Sequence, residues 1–225
     1  MLTRFITIYV VTLYFVTTAA AQLCQGSLGD PIVFTSFGSG SNPGPSLPAA
    51  STTYQYVAGD CPQDGFYTVR NKTSNCFGNS WHSLTADHTG NPSGYFMLVN
   101  ASVQPGAFYV DTVRGLCTNS KYEFAAWIMN VIIPSACNGN TIQPDLTFTI
   151  EKTDGTVLQT YNTGAIAATA SPIWKQYGSF FTTPSGIADV VLRIVNNAPG
   201  GCGNDLALDD ISFRACGPAL STAIA

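Results

Sequence analysis

Two adjacent carboxylates near the end of the sequence, Asp209 and Asp210, are the side chains with the clearest capacity for chemistry. They interrupt the apolar segment 206–213. Its hydrophobic residues before and after them fall on opposite faces of a regular strand, because successive side chains alternate. The pattern therefore predicts either a β-bulge at these residues or a carboxylate that points toward the protein interior.

A buried carboxylate in this segment needs a partner, because an unpaired charge is costly to remove from water. The partners that fit are an arginine, backbone N–H groups or a hard cation, and calcium binds carboxylate and carbonyl oxygens. Two alternatives stay open: a structural calcium ion held by Asp209 or Asp210, or hydrogen bonds that cap strand ends. Asp30, Asn204 and Asp205 are weaker ligand candidates.

Aromatic side chains offer a second kind of site. In the predicted strand 122–131 the even-numbered residues are expected to face the core, which places Trp127 on the opposite, outer face. An exposed indole there would stack on a sugar ring. The alternative is a Trp127 that is buried under the loop containing Cys137. The same two alternatives apply to Trp81 and Tyr109, and we take these three rings as candidate ligand-binding residues.

Groups suited to catalysis are scarce. His82 and His88 are the two histidines, glutamate occurs only at Glu123 and Glu151, and no serine-nucleophile or metalloprotease motif is present. A glycosidase needs two carboxylates, and Glu123 with an aspartate is the alternative that the sequence leaves open. We expect no enzymatic activity, and we interpret His88 as a structural hydrogen-bond donor.

Composition narrows the class of protein. Of the 225 residues 45% are apolar and 10% are charged, and nine bases against thirteen acids give a net charge of −4. Disordered and coiled-coil proteins carry more charge, and nucleic-acid binders need clusters of Lys and Arg, which this sequence lacks. The 21 Gly and 13 Pro favour a β-rich protein with many turns.

The first residues predict secretion. Residues 1–4 supply a positive charge, residues 5–18 are apolar, and three alanines at 19–21 form a small-residue cleavage site. Residues 1–21 are therefore predicted to be a signal peptide, since the apolar run is shorter than the ~20 residues of a membrane span. We expect a chain that is secreted or at the cell surface, without a membrane span, with a single domain over 22–216 and a linker-like tail over 217–225.

Short segments bounded by Gly, Pro, Asn or Asp dominate the rest of the sequence. About ten of them are predicted to be β-strands, among them 66–70, 108–113 and 190–196. No helical periodicity of useful length accompanies them. The sequence therefore predicts an all-β fold, an antiparallel two-sheet jelly-roll β-sandwich.

The seven cysteines contain no Cys-x-x-Cys pair, which favours disulfides over zinc. If the turns at 154–155 and 185–186 lie at one end of the sandwich, the loops after strands 122–131 and 190–196 meet at the other end. The first and last strands of such sandwiches are usually neighbours, which brings their flanking cysteines together. The predicted pairs are Cys61 with Cys76, Cys137 with Cys202, and Cys24 with Cys216. Cys117 is left unpaired, with Cys117 in place of Cys24 as the alternative.

Two motifs carry a resemblance to known extracellular modules. Asp-His-Thr at 87–89 with Gly-Tyr at 94–95, and the Ala-Leu-Asp-Asp-Ile segment at 207–211, resemble MAM (meprin-type) domains. Residues 30–216 also resemble the amino-terminal jelly-roll module of large secreted surface proteins of gliding bacteria. The cysteine-containing segment 197–205 reads as one of that module's motifs. This group is related to carbohydrate-binding and galactose-binding-like sandwiches.

The resemblance implies a non-catalytic module for adhesion or glycan binding, often with a structural cation. It adds Asp87 as a second carboxylate that a calcium ion would bridge to Asp209 or Asp210. We therefore expect a glycan-binding module at the cell surface, with a glycan or a cell-surface protein as partner and no cofactor beyond calcium. A structural or protein–protein adhesion domain of a larger surface protein is the first alternative, and a carbohydrate-active enzyme is the second.

Overall fold

The computed structural model describes residues 23–218. The predicted signal peptide and most of the predicted tail lie outside these residues. Short strands separated by turn residues account for most of the regular structure, and they coincide closely with the apolar segments of the sequence. The strands are β1 (Leu28–Thr35), β2 (Gln55–Tyr56), β3 (Phe66–Arg70), β4 (Phe96–Asn100), β5 (Ala107–Val113), β6 (Lys121–Asn130), β7 (Asp145–Glu151), β8 (Val157–Ala165), β9 (Lys175–Thr182), β10 (Val190–Asn196) and β11 (Leu206–Cys216).

The strands form two sheets, which confirms the predicted all-β sandwich. The larger, seven-stranded sheet has the order β2-β3-β4-β11-β6-β9, with β1 also paired to β11, and the smaller sheet has the order β5-β10-β7-β8. The pairings are antiparallel apart from the short β2–β3 pair, which is parallel. The first strand lies beside the last strand, as expected. Within residues 23–218, no helix has the length and hydropathy that a membrane crossing requires.

The main core lies between the sheets and consists of apolar side chains from alternate strand positions. The even-numbered residues of β6 face this core, as the alternation predicts. Phe124 of β6 meets Phe148 of β7 edge to face, with ring centroids 5.2 Å apart. Tyr122 stacks on Phe213 at 5.1 Å. The Phe124–Phe148 contact ties the two sheets together, whereas Tyr122 and Phe213 join neighbouring strands of the larger sheet, and both contacts leave the opposite side of β6 as an outer face.

A second buried cluster covers one end of the outer face of the larger sheet. Strands β4, β6 and β11 contribute their outer side chains, and the loops over residues 71–94 and 131–143 close over them. The members of this cluster include Trp81, Leu84, Phe96, Leu98, Met129, Ile132 and Ala207. The outer face is therefore open only beyond these loops.

A β-bulge interrupts β11 at the two carboxylates, as one of the two sequence alternatives predicts. Asp209 lies opposite Trp127 of β6, but the next paired residues are Ser212 and Ala125, so two residues of β11 face one residue of β6. Asp210 has a φ of 40°. The extra residue brings the apolar side chains on both sides of the bulge to the same core. The bulge also marks the point where the partner of β11 changes from β4 to β1.

Three disulfides connect the loops and the two ends of the described chain. All three predicted pairs are present: Cys24–Cys216, Cys61–Cys76 and Cys137–Cys202. Cys117 is exposed and free among the cysteines that the structure describes. Disulfides at this density are typical of proteins of an oxidising, extracellular environment.

Candidate functional site

The bulge carboxylate Asp209 is held by the loop that carries His88. Asp209 Oδ2 accepts hydrogen bonds from the backbone N–H of His88 at 3.1 Å and from its Nδ1–H at 3.0 Å. Asp209 Oδ1 accepts the backbone N–H of Asp210 at 2.8 Å. Both carboxylate oxygens are therefore satisfied although the residue is only 1% exposed. This arrangement matches the expected role of His88 as a structural donor.

The second carboxylate of the bulge is more open. Asp210 Oδ2 lies 3.5 Å from His88 Nδ1, and 19% of the surface of the Asp210 side chain is exposed to solvent. Burial raises the pKa of Asp209 to about 6, partly offset by the hydrogen bonds from His88. Burial also raises the pKa of Asp210, while the charge of His88 lowers it and the charge of Asp87 raises it. Asp210 is thus the member of the pair that can meet a ligand.

The Asp87 side chain forms hydrogen bonds within its own loop. Its Oδ1 accepts hydrogen bonds from the backbone N–H and hydroxyl of Thr89, at 2.9 Å and 2.7 Å, and from the backbone N–H of Asn91 at 2.9 Å. Its carboxyl group lies so close to Gly94 that a side chain at that position would collide with it. Asp87 therefore shapes the turn that presents His88.

The donors around the bulge do not fit a calcium ion that bridges Asp87 to Asp209. The atoms that converge there are a histidine nitrogen and the oxygens of Asp209 and Asp210, whereas calcium selects oxygen ligands. Protein N–H groups already occupy Asp87 Oδ1 and both oxygens of Asp209. The predicted calcium ion stays a prediction that a chelation experiment tests.

Trp127 lies on the outer face of the larger sheet, where the alternation of β6 predicts it. The ring of His88 stacks on its indole, with centroids 4.6 Å apart and planes inclined by 21°. Trp174 lies edge-on to the His88 ring, with centroids 6.4 Å apart. Gln176 lies directly across from Trp127 on β9. Trp127 and Trp174 are both half-buried. The loop that contains Cys137 packs elsewhere, on the second cluster.

The structure corrects the prediction for the other two rings. Tyr109 is 3% exposed within the core between the sheets, and its hydroxyl is 3.1 Å from both Thr35 Oγ1 and Asp111 Oδ2. Trp81 is 4% exposed in the second cluster, and its Nε1–H donates to Asp205 Oδ2 at 3.1 Å. Neither ring presents an open stacking face. The prediction for Trp81 was wrong because Trp81 lies in a loop, where no alternation of strand side chains indicates which residues face the interior.

The alternative catalytic carboxylate is enclosed. Glu123 is 2% exposed, and its Oε2 accepts the backbone N–H of Cys24 at 2.7 Å. His82 is also buried, and desolvation lowers its pKa. Glu123 therefore holds the first residues of the domain against the sheet through its hydrogen bond to Cys24.

Comparisons with known proteins do not assign a family. No family model matches the chain, and no curated protein matches it. Among solved structures, a cyclase from Fischerella sp. TAU is similar over 69% of this chain and 76% of its own, with 15% identity and a TM-score of 0.48. The CBM22-1 xylan-binding domain from Paenibacillus barcinonensis is similar over 89% of this chain and 100% of its own, with 15% identity and a TM-score of 0.44.

A third solved structure, the C-terminal domain of EclA, described as a sugar-binding protein, has 17% identity and a TM-score of 0.34. The match covers 81% of that domain and 52% of this chain. These three solved structures are an enzyme and two sugar-binding domains. At these identities and TM-scores, none of the three determines a function for the chain.

Proposed function

We propose that this chain is a secreted, non-catalytic glycan-binding module, and that its binding face is the open part of the outer face of the larger sheet. The observation that carries the proposal is the pair of half-buried indoles, Trp127 and Trp174, next to the accessible carboxylate of Asp210. Sugar rings bind proteins by stacking their C–H faces on aromatic rings while their hydroxyls pair with a few convergent polar groups. The cluster around Trp127 offers both kinds of contact.

The contacts that hold the Trp127 cluster in place favour ligand binding over catalysis. His88 is packed against Trp127 and hydrogen-bonded to Asp209, so the ring that orients the indole is itself fixed. A platform whose side chains are ordered before the ligand arrives loses little conformational entropy on binding. The alternative nucleophile or acid, Glu123, is buried against the backbone of Cys24 and lies outside this cluster.

A glycan array tests this proposal. Wild-type protein that begins at Gln22 is expected to bind a defined class of sugars, and Trp127→Ala is expected to lose that binding. Phe180→Ala is the matched control, because Phe180 is an exposed aromatic residue of β9 near Lys121 rather than near Trp127. Binding that survives in Trp127→Ala, or that is lost equally in Phe180→Ala, contradicts the proposed face.

Protein–protein adhesion is the second candidate function, and strand β1 favours it. Leu28, Ile32 and Phe34 are exposed on this strand, with 43%, 47% and 52% of their surface accessible. Among the described strands β1 pairs only with β11, so it also offers an unpaired edge. A folded protein that is silent on the array but self-associates, and that becomes monomeric on Phe34→Ser, would favour this function over glycan binding.

A further inference from the structure

Three donor atoms converge at the β-bulge of β11 with spacings close to those of a metal site. His88 Nδ1 lies 3.0 Å from Asp209 Oδ2 and 3.5 Å from Asp210 Oδ2. One ligand atom from each of these three residues lies within 4.8 Å of the other two. Ligand atoms of a tetrahedral zinc ion lie about 2.0–2.1 Å from the metal, which separates them from one another by about 3.3 Å. A shift of a few tenths of an ångström therefore brings the ring nitrogen to zinc-ligand spacing from both carboxylates.

The carboxylate of Asp210 is the member of this group that lacks a firm partner. Only 19% of its side chain is exposed, yet its one contact with a cationic group in the described chain is His88 Nδ1 at 3.5 Å. The charges of His88, Asp87 and Arg214 act on it, but no hydrogen bond does, and Arg214 forms no ion pair with it in the part of the chain that the structure describes. A carboxylate that is largely buried requires a donor or a cation. Because no hydrogen bond fixes it, the Asp210 side chain can turn toward Asp209.

The donor atoms select a transition metal rather than calcium. Calcium takes oxygen ligands, whereas an imidazole nitrogen with carboxylate oxygens is a typical set of zinc ligands. Zinc can also take the place of the ring hydrogen that His88 donates to Asp209 Oδ2. That proton leaves to solvent, and Nε2 keeps its hydrogen, because a metal binds the neutral imidazole. The two carboxylates then balance the charge of a divalent ion.

We propose that the β-bulge binds a divalent transition-metal ion such as zinc through His88 Nδ1, Asp209 Oδ2 and Asp210 Oδ2. Three protein ligands leave the fourth tetrahedral position to water or to an external ligand. The backbone N–H of His88 keeps its hydrogen bond to Asp209 Oδ2 at 3.1 Å and orients that carboxylate for the ion. The ion cross-links the loop of His88 to β11. The site does not rest on the glycan-binding proposal, because Trp127 supplies none of its ligands.

Calorimetric titration with zinc tests the site on the tag-free chain that begins at Gln22, after a chelator has removed bound metal and has itself been dialysed away. Zinc is expected to bind in a one-to-one ratio and to raise the melting temperature by several degrees, since it binds the folded state. Cobalt in the same site is expected to give the visible absorption of a tetrahedral ion. An excess of calcium should not displace zinc. No stoichiometric zinc binding, or displacement of zinc by calcium, overturns the proposal.

Two variants separate binding from folding. His88→Ala removes the ring nitrogen and is expected to abolish zinc binding. Asp210→Asn keeps the size of the side chain and breaks no hydrogen bond of the described residues, and it is expected to weaken zinc binding by about tenfold or more. Asp154→Asn is the matched control, because Asp154 is an exposed carboxylate in the turn between β7 and β8, and it should bind zinc like wild type. Unchanged zinc affinity in folded Asp210→Asn contradicts the assignment, as does an equal loss in Asp154→Asn.

The tryptophan signals give the position of the ion. The His88 ring stacks on Trp127 with centroids 4.6 Å apart, so zinc is expected to shift the indole N–H signal of Trp127 in NMR spectra and to leave that of Trp81, in the second cluster, in place. Trp127→Ala keeps all three ligands and is expected to bind zinc even where it loses glycan binding. Failure of the glycan array with zinc binding intact therefore counts against the glycan proposal alone. A zinc titration that shifts Trp81 and not Trp127 contradicts the metal site.

Discussion

His88 donates two hydrogen bonds to one oxygen of Asp209, from its backbone and from its ring, and stacks the same ring on Trp127. The β-bulge of β11 therefore holds, through His88, the indole of Trp127 that is proposed to bind a sugar. Removal of the His88 side chain should therefore affect both the stability of the bulge and the orientation of the indole.

Stability should depend on the His88–Asp209 pair as a unit. His88→Ala is expected to lower the free energy of unfolding by about 2 kcal/mol, because a buried carboxylate loses a charge-assisted donor. Urea denaturation of His88→Ala, Asp209→Asn and the double variant measures the coupling, which should be about 1 kcal/mol. Effects of the two substitutions that simply add would show that the hydrogen bond contributes no coupling.

Calcium removal tests the metal prediction that the sequence motifs suggest. An ion that binds only the folded state raises the melting temperature by mass action. Because protein donors already occupy one oxygen of Asp87 and both oxygens of Asp209, we expect the melting temperature to stay within about 1 °C when a chelator replaces calcium. A fall of several degrees, absent in Asp210→Ala, would instead show a structural calcium ion at the bulge.

The pH dependence of stability should carry the signature of Asp205. Its pKa rises from 3.8 to about 8 on folding, so the folded protein binds this proton more tightly than the unfolded chain. The corresponding stabilisation is fully present below pH 3.8 and is lost as pH rises to about 8. Asp64 and the hydroxyl of Tyr54 are the titratable groups that act on it.

Asp205→Asn isolates this contribution. The variant is expected to gain stability relative to wild type as pH rises from 5 to 8, by at least about 1 kcal/mol. Melting temperatures of both proteins across this range measure the difference. Parallel curves would mean that Asp205 does not titrate differently in the folded and unfolded states.

The disulfide that joins the two ends of the domain should contribute strongly to stability. Cys24 and Cys216 are 192 residues apart, and bridges that close long loops stabilise by about 3–5 kcal/mol when unstrained. The variant with serine at both positions should unfold at lower urea concentration. Cys117→Ser is the matched control, because Cys117 is free and exposed, and it should unfold like wild type. Alkylation of the native protein before reduction should label Cys117 alone.

Strand positions and cysteine pairs could be predicted from the sequence because local signals determine them. The segments 66–70 and 190–196 were bounded by turn residues, and both are strands with those limits. The change of hydrophobic phase around Asp209 indicated a bulge, because only an extra residue returns the later side chains to the same face. The proximity of the first and last strands brought Cys24 to Cys216.

The candidate site could be predicted only in part, because loops decide which outer side chains stay open. Alternation placed Trp127 on the outer face, but it gave no indication that His88 would stack on it. Trp81 lies in a loop, and its burial depends on a packed cluster formed with residues such as Met129 and Ile132. The burial of Asp205 arises from loops that meet at one end of the sheet, through contacts distant in sequence.

The proposed binding face is tested directly by NMR of the indole N–H signals of the 15N-labelled protein while an oligosaccharide that the array identifies is added. We expect the signals of Trp127 and Trp174 to shift with saturation and the signal of Trp81 to stay in place. We also expect Trp127→Ala to abolish binding without loss of folded structure. A sugar that binds while the Trp127 signal remains unchanged would contradict the proposed binding face.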